Sequence, residues 1–321
     1  MTLHIGEAEV QMVLSMPLAI EAVEEISRRQ GNGEVLVHAR RRFEFAGSGF
    51  FHYMAAADMP AGFVATKQYT YVRGKLRFVV MLFEMATGEL LSLIEADYMG
   101  QMRTGAASGV ATKFLARHDA SRAAIIGTGG QAKTQLEAIA AVRKLRSVRV
   151  YGRDVARRDS FCREMSATLG FHVESAASAA EAVRDAQIVC TATTASRPVI
   201  SGADLAAGAH INAIGANHAH KRELDDAAIA KAGAIFVDSL EQSKQEAGDL
   251  ILGFHNDATR WNGVKELAEL VAGKEAGRTN DSQITLFKSN GIASWDLAVA
   301  MKVYALARKQ NLGTAMPFWN T

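Results

Sequence analysis

The sequence predicts an α/β protein in two parts, on three observations. Residues 34–99 read as successive strands broken by glycine and turn pairs. From 121 onward, short apolar strands alternate with stretches of helical composition, and a long amphipathic segment at 293–310 follows after that pattern should be complete. Parallel strands need crossover connections, so the alternating half should be a doubly wound parallel sheet over 118–295. The remainder, 1–117 with 296–321, should form a discontinuous α+β domain.

The elements follow in order. In PLAIEAVEEISRRQ, 17–30, Leu18, Ala22 and Ile26 recur at helical spacing, and Pro17 suits a first turn. EVLVHARRRFEF, GFFHYMAA, GFVATKQYTYV and LRFVVMLFEMATGELLSLIE read as strands, with Thr87-Gly88 as a turn pair. MGQMRTGAASGVATKFLAR, 99–117, returns to helix with small residues on one side. AAIIGTG and VRVYG are strands around the helix TQLEAIAAVRKL; AQIVCTAT, HINAIGA and AIFVDS are further strands, and AAEAVRDA and DDAAIAKAG have helical composition. ASWDLAVAMKVYALARKQ, 293–310, should pack back on the N-terminal part, which makes that domain discontinuous.

Composition narrows the function classes. The net charge of +2, from 36 basic and 34 acidic residues, gives no support to a nucleic-acid or anionic-membrane partner. HARRR at 38–42 and ARR at 156–158 are short basic runs, read as solvated or substrate-facing patches. The two cysteines, Cys162 and Cys190, have no metal-like spacing and predict no disulfide framework, which fits a reducing cytoplasm. No signal-peptide pattern opens the chain, and no uncharged apolar run approaches the ~20 residues that cross a bilayer. A soluble cytoplasmic protein is expected.

Gly127-Thr128-Gly129-Gly130-Gln131-Ala132 is a GxGxxA pattern directly after the strand AAII and opens a helix. Glycines there permit a tight turn and close approach of backbone to a pyrophosphate, whose charge the helix N-terminus stabilises. Strand, turn, helix and second strand fall at the spacing of a Rossmann dinucleotide-binding unit. That second strand ends on Gly152 and Arg153, where an NAD site usually carries an acid, with Arg157 and Arg158 one turn on. Without a carboxylate to repel a 2′-phosphate, and with a guanidinium to pair with it, NADP(H) is favoured. NAD(H) stays open, with Arg153 covering adenine or facing solvent. Thr191 and Thr193, in AQIVCTAT, are further candidate cofactor contacts.

With these motifs the chain resembles the ornithine cyclodeaminase/mu-crystallin family over nearly its whole length. The markers are ATK at 65–67, MRTGAASGVATKFLAR at 102–117, IIGTGGQA at 125–132, AHINAIGA at 209–216, KRELDD at 221–226, FVDSLEQSKQEAGDL at 236–250 and ITLFKSNGIASWD at 284–296. The resemblance implies a Rossmann domain beside a discontinuous domain through which two subunits form a homodimer. It also implies a substrate carboxylate held by two arginines and a lysine, which map onto Arg41, Arg103 and Lys67; Arg41 is one of three arginines running together at 40–42. A guanidinium offers a planar fork to a carboxylate, and two of them around Lys67 should lower its pKa, suiting it to proton transfer. Lys221, Ser289 and Asn290 correspond to family positions near the nicotinamide.

Two departures bear on the reaction. Cyclodeaminases carry an acid after the INAxGx stretch, where this chain has Asn217, and a glutamate on an early strand, where His52 stands. Asparagine cannot accept a proton at neutral pH, so ornithine cyclodeamination is not expected. His52 and His218 are candidate substrate contacts; the His218/His220 pair lacks further ligands and predicts no metal site. The resemblance thus implies NAD(P)H-dependent, reversible reduction of a carboxylate-bearing cyclic or N-alkyl imine to an amino acid, with a small imino or amino acid as partner. The alternatives are an alanine-type amino-acid dehydrogenase, an NAD-dependent cyclodeaminase, or a non-enzymatic binding protein. Met12, Met16, Met54, Met59, Met81 and Met85 are expected in core or dimer interface.

Overall fold

The computed structural model describes residues 1–45 and 49–318, and the chain divides into two compact units, Met1–Ala107 with Gly291–Thr321, and Ser108–Asn290. The last three residues of the expected 296–321 segment lie outside the described part.

The first unit opens with β1 (Thr2–Ile5), α1 (Glu7–Val13) and α2 (Met16–Gly31). An antiparallel run follows: β2 (Val35–Phe45), β3 (Gly49–Asp58), β4 (Phe63–Val72), β5 (Lys75–Glu84) and β6 (Leu90–Glu95). Glycines with positive φ, Gly62 and Gly88 among them, close the reversals. Helix α3 (Asp97–Leu115) then carries the chain into the second unit. The division at 107/108 falls inside this helix, N-terminal of 117/118 where the sequence suggests it. Its last turns belong with the following residues: Asn212 Nδ2 donates to Thr112 Oγ1 at 3.0 Å, and the Arg143 guanidinium reaches the carbonyls of Thr112, Lys113 and Ala116.

The second unit contains β7 (Arg122–Ile126), α4 (Gly130–Val142), β8 (Ser147–Tyr151), α5 (Val155–Leu169), β9 (Val173–Ser175), α6 (Ala179–Val183), β10 (Ile188–Thr191), β11 (His210–Ala213), α7 (Asp226–Lys231), β12 (Ala232–Val237), α8 (Leu240–Glu246), α9 (Gly248–Gly253), β13 (Val264–Glu266), α10 (Leu267–Val271) and β14 (Ile284–Lys288). The strands form one parallel sheet in the order β13-β12-β14-β11-β10-β7-β8-β9. Both faces are covered. Ala123, Ile125, Ile188 and Cys190 pack with Leu136, Ile139 and Phe161 on one side, and Ala124, Ile126, Val189 and Ile211 join Val183, Leu224 and Leu250 on the other. Two-sided burial explains why these strands read as unbroken apolar runs. The chain leaves β7 toward β8 and β9, then returns to β10 on the other side, so a topological switch point lies at the carboxyl ends of β7 and β10.

Helix α11 (Ala293–Lys309) and β15 (Thr314–Met316) return to the first unit, completing a sheet in the order β15-β1-β6-β5-β4-β3-β2. Helix α11 is clamped to α2: Ser294 Oγ donates to Gln30 Oε1 at 2.7 Å, and Trp295 Nε1 to Ser27 Oγ at 3.3 Å. Trp295 is thus a core residue. Met16 and Met54 are buried, whereas Met12, Met59 and Met85 are exposed. The strands the sequence did not announce are β1, β9, β13, β14 and β15; all but the five-residue β14 have three or four residues, too few to display a period of two.

Among the described residues no helix is long and apolar enough to cross a membrane, and Cys162 and Cys190 are buried free thiols.

Candidate active site

Strand register decides which side chains share a face with Lys67. Lys67 pairs across to Met54 on β3 and Val80 on β5, and Tyr69 pairs with His52 and Phe78. His52, Met54, Lys67, Tyr69, Phe78 and Val80 therefore project to one side. Lys67 is only 3% exposed. Its Nζ lies 2.7 Å from Asp296 Oδ1 in the first turn of α11 and 5.3 Å from the centre of the Phe78 ring. Arg103, on α3, brings Nε to within 3.2 Å of the same oxygen, while its Nη1 has no hydrogen-bond partner among the described residues. Two cations thus share one buried carboxylate oxygen.

Arg41 does not join them. The register of β2 against β3 shifts between His38 and Arg41, and Arg41 then pairs with the outward-facing Tyr53 and is exposed. An extra residue on one strand of a pair resets which side chains face inward. The buried arginine is Arg40, 8% exposed, with Nη2 donating to the carbonyl of Gly291 at 3.1 Å. Gly291, at φ +81°, also supports Arg103: a Cβ built there would lie 2.3 Å from Arg103 Nη1. Arg42 pairs across from His52 and places its guanidinium 4.7 Å from the centre of the Phe50 ring. Of the run at 40–42 it is thus Arg40 that is buried beside Arg103, whereas the register shift leaves Arg41, the residue expected there, on the outer face.

The Lys67 amine is brought down to about 8, chiefly by burial; Asp296 opposes that shift, and Arg103 and Arg40 reinforce it. Like-charge repulsion, the expected cause, is the smaller contribution. His52 is buried, and its Nδ1 lies 2.5 Å from the Tyr69 hydroxyl.

In the second unit a cleft of about 810 Å³ lies at the switch point, lined by Gly127, Thr128, Gly129, Gly152, Arg153, Asp154, Arg157 and the 192–197 segment. Gly127 has φ +121°, and a Cβ there would meet the Ala192 carbonyl at 2.4 Å. Gly129, the N-cap of α4, has nothing within 4 Å of its Cβ position. Close approach on one side and open space on the other suit this turn to a pyrophosphate, with Gly130 and Gln131 opening the helix behind it. A Cβ at Gly152 would press on Thr128 at 2.8 Å, so the end of β8 has no room for an acid without displacing that side chain. Asp154 is spent as the N-cap of α5, accepting from Arg157 N at 3.0 Å. Arg153 and Arg157 line the cleft, whereas Arg158 lies 3.8 Å from the Asp159 carboxylate. The chain's own residues therefore fit a dinucleotide.

Thr193 lines this cleft, but Thr191 is fully buried, its hydroxyl donating to Glu223 at 2.9 Å. Thr191, expected at the cofactor, thus points inward behind the cleft wall. Ser289 and Asn290, at the end of β14, are held by Asp238, which accepts from Ser289 Oγ at 3.2 Å and Asn290 N at 2.6 Å. Lys221 N donates to His218 O at 3.0 Å in a turn that leaves Asn217 exposed. The His218 and His220 rings are 5.6 Å apart, and among the described residues no cluster of three or more His, Cys, Asp or Glu could hold a metal.

Sequence reasoning did not single out Arg40 within the run at 40–42, and it missed Asp296 and Gly291. Asp296 carried a signal: it is the one acid of α11, in its first turn and next to buried apolar residues.

Known proteins match the chain over most of its length. Residues 3–311 match the profile of the ornithine cyclodeaminase/mu-crystallin family. A Delta(1)-pyrroline-2-carboxylate reductase of Bacillus cereus is 41% identical over 241 residues, covering 75% of this chain and 74% of that protein. Among solved structures, the Thermococcus litoralis Delta(1)-pyrroline-2-carboxylate reductase in complex with NADH and L-proline superposes with a TM-score of 0.94 at 35% identity, over 98% of this chain and all of that one. An archaeal alanine dehydrogenase dimer with bound NAD gives 0.93 at 33% identity, over 99% of each chain. A family match over nearly the whole length places the chain in the ornithine cyclodeaminase/mu-crystallin family, on the side of its imine reductases.

Proposed function

We propose that the protein reduces a carboxylate-bearing imine to the corresponding amino acid, reversibly, and that a small cyclic ketimine such as pyrroline-2-carboxylate is its substrate. The observation that carries this reading is the buried pair Lys67 and Arg103 on one Asp296 oxygen, with a guanidinium N–H of Arg103 left without a partner among the described residues. A buried cluster with more cations than carboxylates is suited to an anion. Arg103 and Arg40 take the substrate carboxylate, a guanidinium fork matching its geometry. Lys67, with its pKa near 8, is mostly protonated at neutral pH yet able to release its proton, so it supplies the imine nitrogen. Asp296 keeps both cations oriented toward one point. The aromatic surroundings of Phe50, His52, Tyr69 and Phe78 place no carboxylate beside Lys67 on the sheet side, which favours an uncharged ring over an ornithine-like side chain.

A reduced nicotinamide dinucleotide supplies the hydride when bound. Gly127, Thr128 and Gly129 would hold its pyrophosphate and Thr193 the adjoining wall, while Arg153 and Arg157 favour a 2′-phosphate and hence NADP(H), with NAD(H) also accepted. The exposed Phe43 and Tyr53, stacked with each other and with the half-buried Phe51 on the outer face of β2 and β3, support a homodimer through the first unit.

The reading is tested with cyclic and acyclic imino acids assayed against NADH and NADPH at 340 nm. Stoichiometric loss of absorbance with a cyclic ketimine supports it. Turnover of a diamino acid with no net change at 340 nm would show a cyclodeaminase instead.

A further inference from the structure

A second buried ionic network sits at the carboxyl ends of the strands in the second unit. Glu223, fully buried, accepts four hydrogen bonds: Oε1 from Thr193 N at 2.7 Å and Thr193 Oγ1 at 2.8 Å, Oε2 from Thr191 Oγ1 at 2.9 Å and Gly215 N at 2.7 Å. These donors come from the last residue of β10 and from the segments that follow β10 and β11. The Glu223 backbone is held in turn by Asp249, whose Oδ1 accepts from the N–H groups of Glu223 and Leu224 at 2.6 and 2.9 Å. Lys288, also fully buried, lies 3.6 Å from Asp249 Oδ2 and donates to the carbonyls of Ala213 and Ala216.

The segment so held has no slack. A Cβ at Gly215 would lie 2.2 Å from the Thr193 carbonyl and 2.5 Å from Glu223 Oε1. On its other side, a Cβ at Gly127 would meet the Ala192 carbonyl at 2.4 Å and Thr193 Cγ2 at 3.4 Å. Residues 192–193 are thus wedged between the phosphate turn and the β11 loop, and Glu223 is the group that fastens them. Glu223 does not line the cleft, but Thr193 does. Buried ion networks of this kind contribute little to stability relative to apolar packing, and their best-attested use is to fix one geometry.

We propose that Glu223 is a positioning residue for the dinucleotide cleft: its carboxylate holds the Thr193 segment against the Gly127 turn, and so sets cofactor affinity without touching the cofactor. The proposal rests on reading the cleft as a dinucleotide site.

Dissociation constants for NADH and NADPH, measured by nicotinamide fluorescence, test it, together with KM for the imino acid at saturating cofactor and Tm. The variants are Glu223→Gln, Thr191→Val and Thr191→Ser. Glu223→Gln replaces an acceptor by a donor facing N–H groups; it should raise both dissociation constants by about tenfold or more. The imino-acid KM should change less than about threefold. Thr191→Val removes one of the four bonds at a residue that does not line the cleft and should weaken dinucleotide binding by a few fold, and Thr191→Ser, which keeps the hydroxyl, should restore it. A folded Glu223→Gln with wild-type dissociation constants overturns the proposal. Should that variant fail to fold, unchanged affinity in Thr191→Val overturns it equally. A wild-type protein that binds neither dinucleotide refutes the underlying reading of the cleft and the proposal with it, which is distinct from a wild type that binds and a Glu223→Gln that binds as well.

Discussion

Lys67 Nζ and Asp296 Oδ1 are 2.7 Å apart, although 229 positions separate the two residues in the chain. The contact joins the fourth strand to the returning C-terminal helix, and it opposes the burial that brings the lysine down to about 8. Removing the carboxylate should therefore depress the amine further. In Asp296→Asn the reduction rate should fall about tenfold or more at pH 8, and its alkaline limb should move to lower pH. A pH–rate profile of kcat/KM checks this; an unmoved limb would detach Asp296 from the titrating group.

In the wild type, reduction needs the protonated amine, so its rate should decline as pH rises through about 8, while amino-acid oxidation should rise over the same interval. Stability carries the opposite sign from activity. Folding lowers this pKa from its ordinary 10.5, so the cost of burying the charged amine is full below about 8 and gone above 10.5. Lys67→Met should lose about 10²- to 10⁴-fold in kcat, the usual worth of a positioned proton donor, with a Tm at pH 7 no lower than wild type. Steady-state kinetics and calorimetry on the same preparation test both halves.

Arg40 and Arg41 are neighbours with opposite fates, one 8% exposed and the other on the outer face. Losing a charge-assisted hydrogen bond costs about 1.5–3 kcal/mol, so Arg40→Ala should raise KM for the imino acid by about 10- to 150-fold. Arg41→Ala should stay within about twofold. Equal effects at the two positions would contradict the register of β2.

Arg153 lines the cleft beside Gly152, and Arg153→Asp should weaken NADPH more than NADH by about tenfold or more. The ratio of kcat/KM for the two cofactors is the measurement; an unchanged ratio would place Arg153 outside 2′-phosphate recognition.

The stacked ring face should hold a dimer. Phe43→Glu, which puts a charge among Phe51 and Tyr53, should shift the protein toward monomer in light scattering while leaving dinucleotide affinity within about twofold.

Much of this was legible in the residues themselves. The parallel sheet follows from apolar runs between helical stretches, since a strand buried on both faces has no polar side to display. The glycine turn follows from its place between a strand and a helix, because a positive φ at Gly127 and the Ala192 carbonyl close to its Cβ position leave room for no other residue. Lys67 and Arg103 stood out through the family motifs. The third cation did not: in a run of three arginines, only a one-residue shift of β2 against β3 decides which guanidinium turns inward, and pairing register is a property of two strands at once. The roles of Asp296 and Glu223 were hidden for a related reason. Each acts through partners far along the chain, and a buried carboxylate acquires its role only when folding removes water and leaves those partners to balance its charge.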